Sequence, residues 1–119
     1  MDILTENDKL GEYPNSYYAA TTDLLPLFNS AERNISCDVC VVGGGYTGLS
    51  TALCLSESGY SVTVLEAHRV AFGASGRNGG QVGSGQRWSV CELRKAFGVE
   101  KARLLWDIGE AAKQEVAAR

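Results

Sequence analysis

Gly43, Gly45 and Gly48 are the residues whose types and spacing most directly suggest chemistry, in the run Gly43-Gly44-Gly45-Tyr46-Thr47-Gly48. The pattern is G-x-G-x-x-G, and each glycine has its own task. Gly43 permits a tight turn, Gly45 lets backbone approach a diphosphate, and Gly48 lets a helix pack closely on a strand. Tyr46 and Thr47 lie between these glycines, near the start of that helix, where exposed amides and the helix dipole attract an anion. A glycine turn alone is a weak signal. Here Glu66 follows near the interval of roughly twenty residues at which a carboxylate accepts hydrogen bonds from an adenosine ribose. Glu66 and its neighbour Ala67 therefore join the candidate site, and the carboxylate would repel a 2′-phosphate.

A second motif begins just after Glu66: Gly73-Ala74-Ser75-Gly76-Arg77-Asn78-Gly79-Gly80-Gln81. Glycine density by itself describes a surface loop. This one also holds a serine, an arginine and an asparagine, and a cofactor lying across the strand ends would pass beside it. Gly73, Ala74, Ser75, Arg77, Asn78, Gly79 and Gly80 are thus further candidate cofactor contacts.

The elements needed to position these residues can be read from the pattern. Cys37–Val42 is an apolar run ending in glycines, which suits a buried parallel strand. Thr47–Ser58 carries Leu49, Ala52, Leu53 and Leu55, with Gly59 as a C-cap, which suits a helix in which Ala52 permits close contact with the sheet. Ser61–Leu65 alternates around Val62 and Val64 as a second strand. Strand, helix and strand within about thirty residues make a βαβ unit. Met1–Ser36 contains both prolines and no sustained period, so it reads as an extended arm with a short helical turn near Ser16–Ala20. Ala67–Arg87 is too glycine-rich for a helix or long strand. Ser89–Phe97 reads as a helix capped by Ser89 and closed by Gly98. Val99–Arg119 reads as a longer helix with an apolar stripe through Leu104, Leu105, Ile108, Ala112 and Val116.

Composition narrows the function classes. The 119 residues carry a formal net charge of -3 and no basic cluster, so a nucleic-acid partner is not expected. No apolar run approaches the roughly 18–20 residues of a membrane span, and the N-terminus is acidic and polar. A cytoplasmic protein is expected. Cys37 and Cys40 form a C-x-x-C inside a strand-like run, where their side chains would point to opposite faces. With Cys54 and Cys91 they read as small buried hydrophobes, and no metal is expected. His68 reads as a solvated loop residue, and Tyr17, Tyr18, Trp88 and Trp106 as packing. Arg33, Arg69, Arg87 and Arg94 are too dispersed for a binding patch.

In this order the two motifs resemble the D-amino-acid oxidase-like superfamily of FAD enzymes, with a closer likeness to the gamma-glutamylputrescine oxidase group. Three segments carry it: Ser16-Tyr17-Tyr18-Ala19-Ala20, Cys37-Asp38-Val39-Cys40-Val41-Val42-Gly43 through Glu66, and Phe72-Gly73-Ala74-Ser75-Gly76-Arg77-Asn78-Gly79-Gly80-Gln81. The loop is the more specific of the motifs, because many flavoproteins and some NAD enzymes share the βαβ fingerprint. The resemblance implies FAD as cofactor, oxidation of the CH–NH group of an amine or amino acid, and oxygen as acceptor. The products would be an imine, then aldehyde and ammonia, and hydrogen peroxide. No acid–base residue is assigned, since the flavin carries the redox chemistry.

The expected fold is α/β: a partial Rossmann-type FAD-binding βαβ unit with an N-terminal arm and C-terminal helices. Residues 1–36 are the arm, and residues 37–119 the N-terminal part of an incomplete FAD/NAD(P)-binding domain. Only two strands can be read, too few to cover a nucleotide-binding sheet, so the chain is expected to be an N-terminal fragment, inactive alone. An NAD-dependent dehydrogenase fragment and a non-catalytic dinucleotide-binding module are the alternatives.

Overall fold

The computed structural model describes Glu6, residues 8–84 and residues 86–119. Met1–Thr5, Asn7 and Gly85, read above within the polar N-terminus and the glycine run, lie outside the described residues. The chain divides into two compact units, one ending at Asn78 and the other running Gly79–Arg119.

In the first unit the arm forms one short helix, α1 (Tyr17–Thr21), where the Ser16 hydroxyl accepts from the Ala19 amide at 3.2 Å. Strand β1 (Val39–Val42), helix α2 (Tyr46–Glu57) and strand β2 (Val62–Leu65) follow. The strands pair in parallel, with Val39 opposite Val62 and Val42 opposite Leu65. This is the expected βαβ unit, and a two-stranded sheet is the part of a Rossmann-like fold that these residues build.

β1 is shorter than the apolar run suggests because a side-chain clasp occupies its start. Asp38 Oδ2 accepts from both the amide and the hydroxyl of Ser61, and the Ser61 hydroxyl accepts from the Asp38 amide. Hydrogen bonds from the Ser61 backbone and side chain hold the Asp38 carboxyl below the usual aspartate pKa. At the other end of α2, Ser58 is the C-cap and Gly59 sits at φ 89°. The Gly59 amide donates to Ser56 O at 3.0 Å and the Tyr60 amide to Leu55 O at 3.1 Å, closing the helix in a Schellman motif.

Cys37 precedes β1, so only Cys40 lies in the strand. Cys37 is half-buried, and Cys40, Cys54 and Cys91 are exposed. All four are free thiols, but they are not buried hydrophobes. The reason is geometric. α2 packs on the sheet face that carries Val41, next to Gly48, while Val42 on the opposite face is 84% exposed.

The second unit is built on α3 (Val90–Ala118), interrupted at Gly98, whose φ of 79° and ψ of 171° separate two helical segments. Ser89 begins it with a capping box: its hydroxyl accepts from the Glu92 amide, and Glu92 accepts from the Ser89 amide at 2.7 Å. Those bonds to Ser89 hold the Glu92 carboxyl below its usual pKa. The expected apolar stripe is not the buried face. Leu93, Ala102 and Gly109 are buried, whereas Leu104, Ile108 and Val116 are exposed. The glycine-rich segment lies against Gly109, where a Cβ would stand 2.5 Å from Ser84 O. Gln86 Nε2 donates to Leu105 O at 2.8 Å, and Lys113 Nζ donates to the Ser84 hydroxyl at 3.2 Å. The aromatic packing is local, with Trp88 stacked on Phe97 and, in the first unit, Tyr17 edge-on to Tyr18.

Candidate functional site

The glycine turn grows directly out of the β ladder. The Gly43 amide donates to Leu65 O at 2.7 Å, one step beyond the last strand pair, and Gly43 then turns at φ 105°. Most L-residues are strained in that region, so the turn selects glycine. Gly44 is buried, and its amide donates to Glu66 Oε2 at 2.6 Å. Gly45 is the N-cap of α2. Gly48 lies so close to the turn that a Cβ there would overlap Gly43 O and stand 3.3 Å from Val41 Cγ1. This is the close helix–strand packing that the spacing requires.

Glu66 sits immediately beyond β2, and both carboxylate oxygens accept main-chain amides. Oε2 takes Gly44, and Oε1 takes His68 at 3.0 Å. A carboxylate has about four lone-pair sites, so two of its sites are left for other donors. Ala67 is exposed beside it.

The second motif meets the first. Ala74–Gly76 forms a 3₁₀ turn, and the Ser75 hydroxyl accepts from the Tyr46 amide at 2.9 Å. A serine from elsewhere in the chain thereby serves the opening of α2, where the glycine N-cap offers no side chain. A Cβ on Gly45 would stand 2.8 Å from that hydroxyl, so the close approach at Gly45 is filled by Ser75. Thr47 is exposed on the same first turn. Gly73 precedes the 3₁₀ turn with open space at its Cβ position.

Arg77 and Asn78 are turned to the loop's own backbone. Arg77 Nε donates to Phe72 O at 2.9 Å, and its guanidinium lies 4.6 Å over the Phe72 ring and pairs with Asp8 at 3.5 Å. Asn78 Nδ2 donates to Ala74 O and Ser75 O. Gly79 and Gly80 fall in the second unit, where Gly80 adopts φ 67°. The structure thus joins Gly43, Gly45, Tyr46, Gly48, Glu66 and Ser75 around one turn.

Several residues at this turn escaped the sequence reading. The Ala71 amide donates to Gly44 O at 2.9 Å, and Ala71 holds a left-handed φ of 59°. His68 is not a solvated residue. Its ring stacks on Phe72 at 3.7 Å, and both ring nitrogens are buried without a hydrogen-bond partner among the described residues. Arg69, set aside as dispersed, contacts the arm through Gly11, Leu25 and Tyr13. No local signal marked it, because those partners are distant in sequence. Among the described residues no His/Cys/Asp/Glu cluster could hold a metal ion, and no helix is long and apolar enough to cross a membrane.

A parallel βαβ unit with this glycine turn and a carboxylate after the second strand defines a dinucleotide-binding segment of a Rossmann-like fold. Residues 38–119 match the family of FAD dependent oxidoreductases termed DAO, and the chain belongs to it. It is 51% identical over 94 residues to gamma-glutamylputrescine oxidoreductase of Escherichia coli K12, covering 79% of this chain and 22% of that protein. It is 46% identical over 101 residues to the probable oxidoreductase OrdL of Rhizobium meliloti, covering 85% of this chain and 24% of the relative. The probable oxidoreductase OrdL of Haemophilus influenzae is 43% identical over 97 residues, which are 82% of this chain and 22% of that protein. No solved structure matches. The chain spans about a quarter or less of the length of these relatives. The family is FAD dependent, so the expected cofactor is borne out over the NAD alternative.

Proposed function

We propose that the protein carrying this chain is an FAD-dependent oxidase acting on the CH–NH group of an amine similar to gamma-glutamylputrescine. The observation that carries this reading is the joined turn, in which Gly48 packs on Gly43 and Glu66 and Ser75 border the opening of α2. The 51% identity to gamma-glutamylputrescine oxidoreductase supports the substrate class. When bound, FAD would supply the two-electron redox chemistry for oxidising the carbon beside the substrate nitrogen, with oxygen as the acceptor that yields hydrogen peroxide. The imine product hydrolyses to aldehyde and ammonia.

The residues of this chain fit the cofactor's diphosphate and adenosine end. Gly43, Gly45 and Gly48 keep side chains away from the turn, and the first-turn amides of Tyr46 and Thr47 with the helix dipole favour the diphosphate. Ser75 accepts from Tyr46 and keeps its own hydroxyl proton to donate to a phosphate oxygen. Glu66 uses its remaining lone pairs for the ribose hydroxyls, beside Ala67. Gly73, Ala74, Arg77, Asn78, Gly79 and Gly80 shape the loop that continues along the cofactor towards the flavin. We take residues 1–36 as the arm and residues 37–119 as the N-terminal part of the FAD-binding domain. The four free cysteines favour the cytoplasm.

The test is peroxide release by the complete gene product, offered gamma-glutamylputrescine, putrescine, glycine and sarcosine separately. Turnover of gamma-glutamylputrescine well above the other amines supports the reading. A flavin-loaded protein that releases no peroxide with any amine overturns it. The 119-residue chain expressed alone is expected to be inactive and to bind FAD weakly, which titration of flavin fluorescence checks.

A further inference from the structure

The arm is fastened to the turn that follows Glu66. Arg69 Nη1 donates to Gly11 O at 3.4 Å, and Nη2 donates to Leu25 O. The same guanidinium lies 4.7 Å over the Tyr13 ring. The Tyr13 hydroxyl donates to Val70 O at 2.9 Å. Two adjacent residues of the turn, Arg69 and Val70, are therefore held by side-chain contacts with the arm. A further tie joins Asp8 to Arg77.

The other side of the turn faces the cofactor site. The His68 amide donates to Glu66 Oε1, and the Ala71 amide donates to Gly44 O. Those two amides flank Arg69 and Val70. Ala71, which leads from them into the loop, adopts φ 59°, which a residue with a side chain keeps only where its surroundings hold it. The fork of an arginine is suited to such holding, because it fixes two carbonyls and an aromatic face at once.

We propose that Arg69 and Tyr13 act as a strap: by clamping the arm to the turn they position Glu66 for the ribose of FAD. They are positioning residues and need not touch the cofactor. The proposal rests on the reading of Glu66 as the ribose acceptor, so the experiment tests both. It follows release of FAD from the complete, flavin-loaded protein through the recovery of free-flavin fluorescence after dilution.

Glu66→Ala is measured first. Faster release is expected, and unchanged release overturns the ribose reading and the strap with it. Arg69→Ala is expected to speed release about tenfold, the effect of one lost charge-assisted hydrogen bond. Arg69→Lys keeps the charge without the fork and should restore only part of the loss. Tyr13→Phe keeps the ring under the guanidinium and removes the bond to Val70, so it should speed release about two- to fivefold and tests the strap should Arg69→Ala fold poorly.

The decisive measurement is the double variant. If Arg69 acts through Glu66, Arg69→Ala adds little to release once Glu66 is alanine. Two multiplying effects, as from general destabilisation, would overturn the strap while leaving the ribose reading intact. So would Arg69→Ala and Tyr13→Phe proteins that release FAD at the wild-type rate while Glu66→Ala releases it faster.

Discussion

Replacing Gly48 by alanine should separate the helix from the strand at the point where we propose the cofactor binds. The new Cβ would overlap Gly43 O and stand 3.1 Å from Gly43 C and 3.3 Å from Val41 Cγ1. Carbon atoms settle near 3.5–4.0 Å, roughly, and two of these three neighbours are main chain that cannot rotate away. The start of α2 must lift from β1. Overpacking of this kind costs about 1–3 kcal/mol, and rigid backbone on the receiving side places Gly48→Ala at about 3. The shift also draws the Tyr46 amide from the Ser75 hydroxyl, so flavin should be lost along with stability.

Two further glycines calibrate the comparison. A Cβ on Gly43 meets nothing within 4 Å, but its φ of 105° makes alanine strained by about 1–3 kcal/mol. Gly83 has open space and no positive φ, so Gly83→Ala should lie within about 0.5 kcal/mol of wild type. The assay is denaturant unfolding of each variant of the complete protein, with the flavin-to-protein ratio read by absorbance. A Gly48→Ala protein with full flavin and wild-type stability would refute the reasoning. So would a Gly83→Ala protein damaged as badly.

Ser75→Ala removes the hydroxyl from the opening of α2 and should cost about 1 kcal/mol of stability in the flavin-free protein by thermal unfolding. Ser89→Ala should cost a similar ~1 kcal/mol in α3, seen as faster amide exchange confined to the turn before Gly98. The Asp38–Ser61 clasp should make stability fall in acid. Because Asp38 titrates lower in the folded protein, its contribution is complete above the ordinary aspartate pKa and disappears as pH falls through the lowered folded value. Asp38→Asn should flatten that acid limb in unfolding measured below about pH 4, and an unchanged limb would count against the clasp.

What could be read from the sequence was what local geometry enforces. The turn at Gly43, the helix stop at Gly59 and the break at Gly98 each need a positive φ, and the structure has all three. Ser89 caps its helix through a bond three residues on, which the chain also advertises locally. The contacts of Ser75 with Tyr46, and of Arg69 with Gly11 and Leu25, span 29, 58 and 44 residues. Nothing in the local pattern marks them. Burial was misjudged for a related reason. Cys40 and Cys54 have the residue type of a core, but exposure depends on what covers each face, and apolar periodicity does not specify the cover.

The same long-range bonds explain how this turn can wait for its cofactor. Gly44 and Tyr46 present amides that would be unsatisfied in a bare glycine turn, and Glu66 and Ser75 accept them. On this reading diphosphate binding sets a phosphate oxygen beside the Ser75 hydroxyl, where the two share the Tyr46 amide. Ribose binding is an addition at Glu66, which keeps its bonds to Gly44 and His68. The two residues should therefore fail differently. Loss of Ser75 leaves an amide the phosphate can still satisfy, so bound cofactor should recover part of the lost stability. Loss of Glu66 removes the acceptor for Gly44, which no phosphate at the helix opening replaces. Saturating FAD should then raise the melting temperature of Ser75→Ala by more than it raises that of Glu66→Ala, and equal rescue of the two would contradict this division of roles.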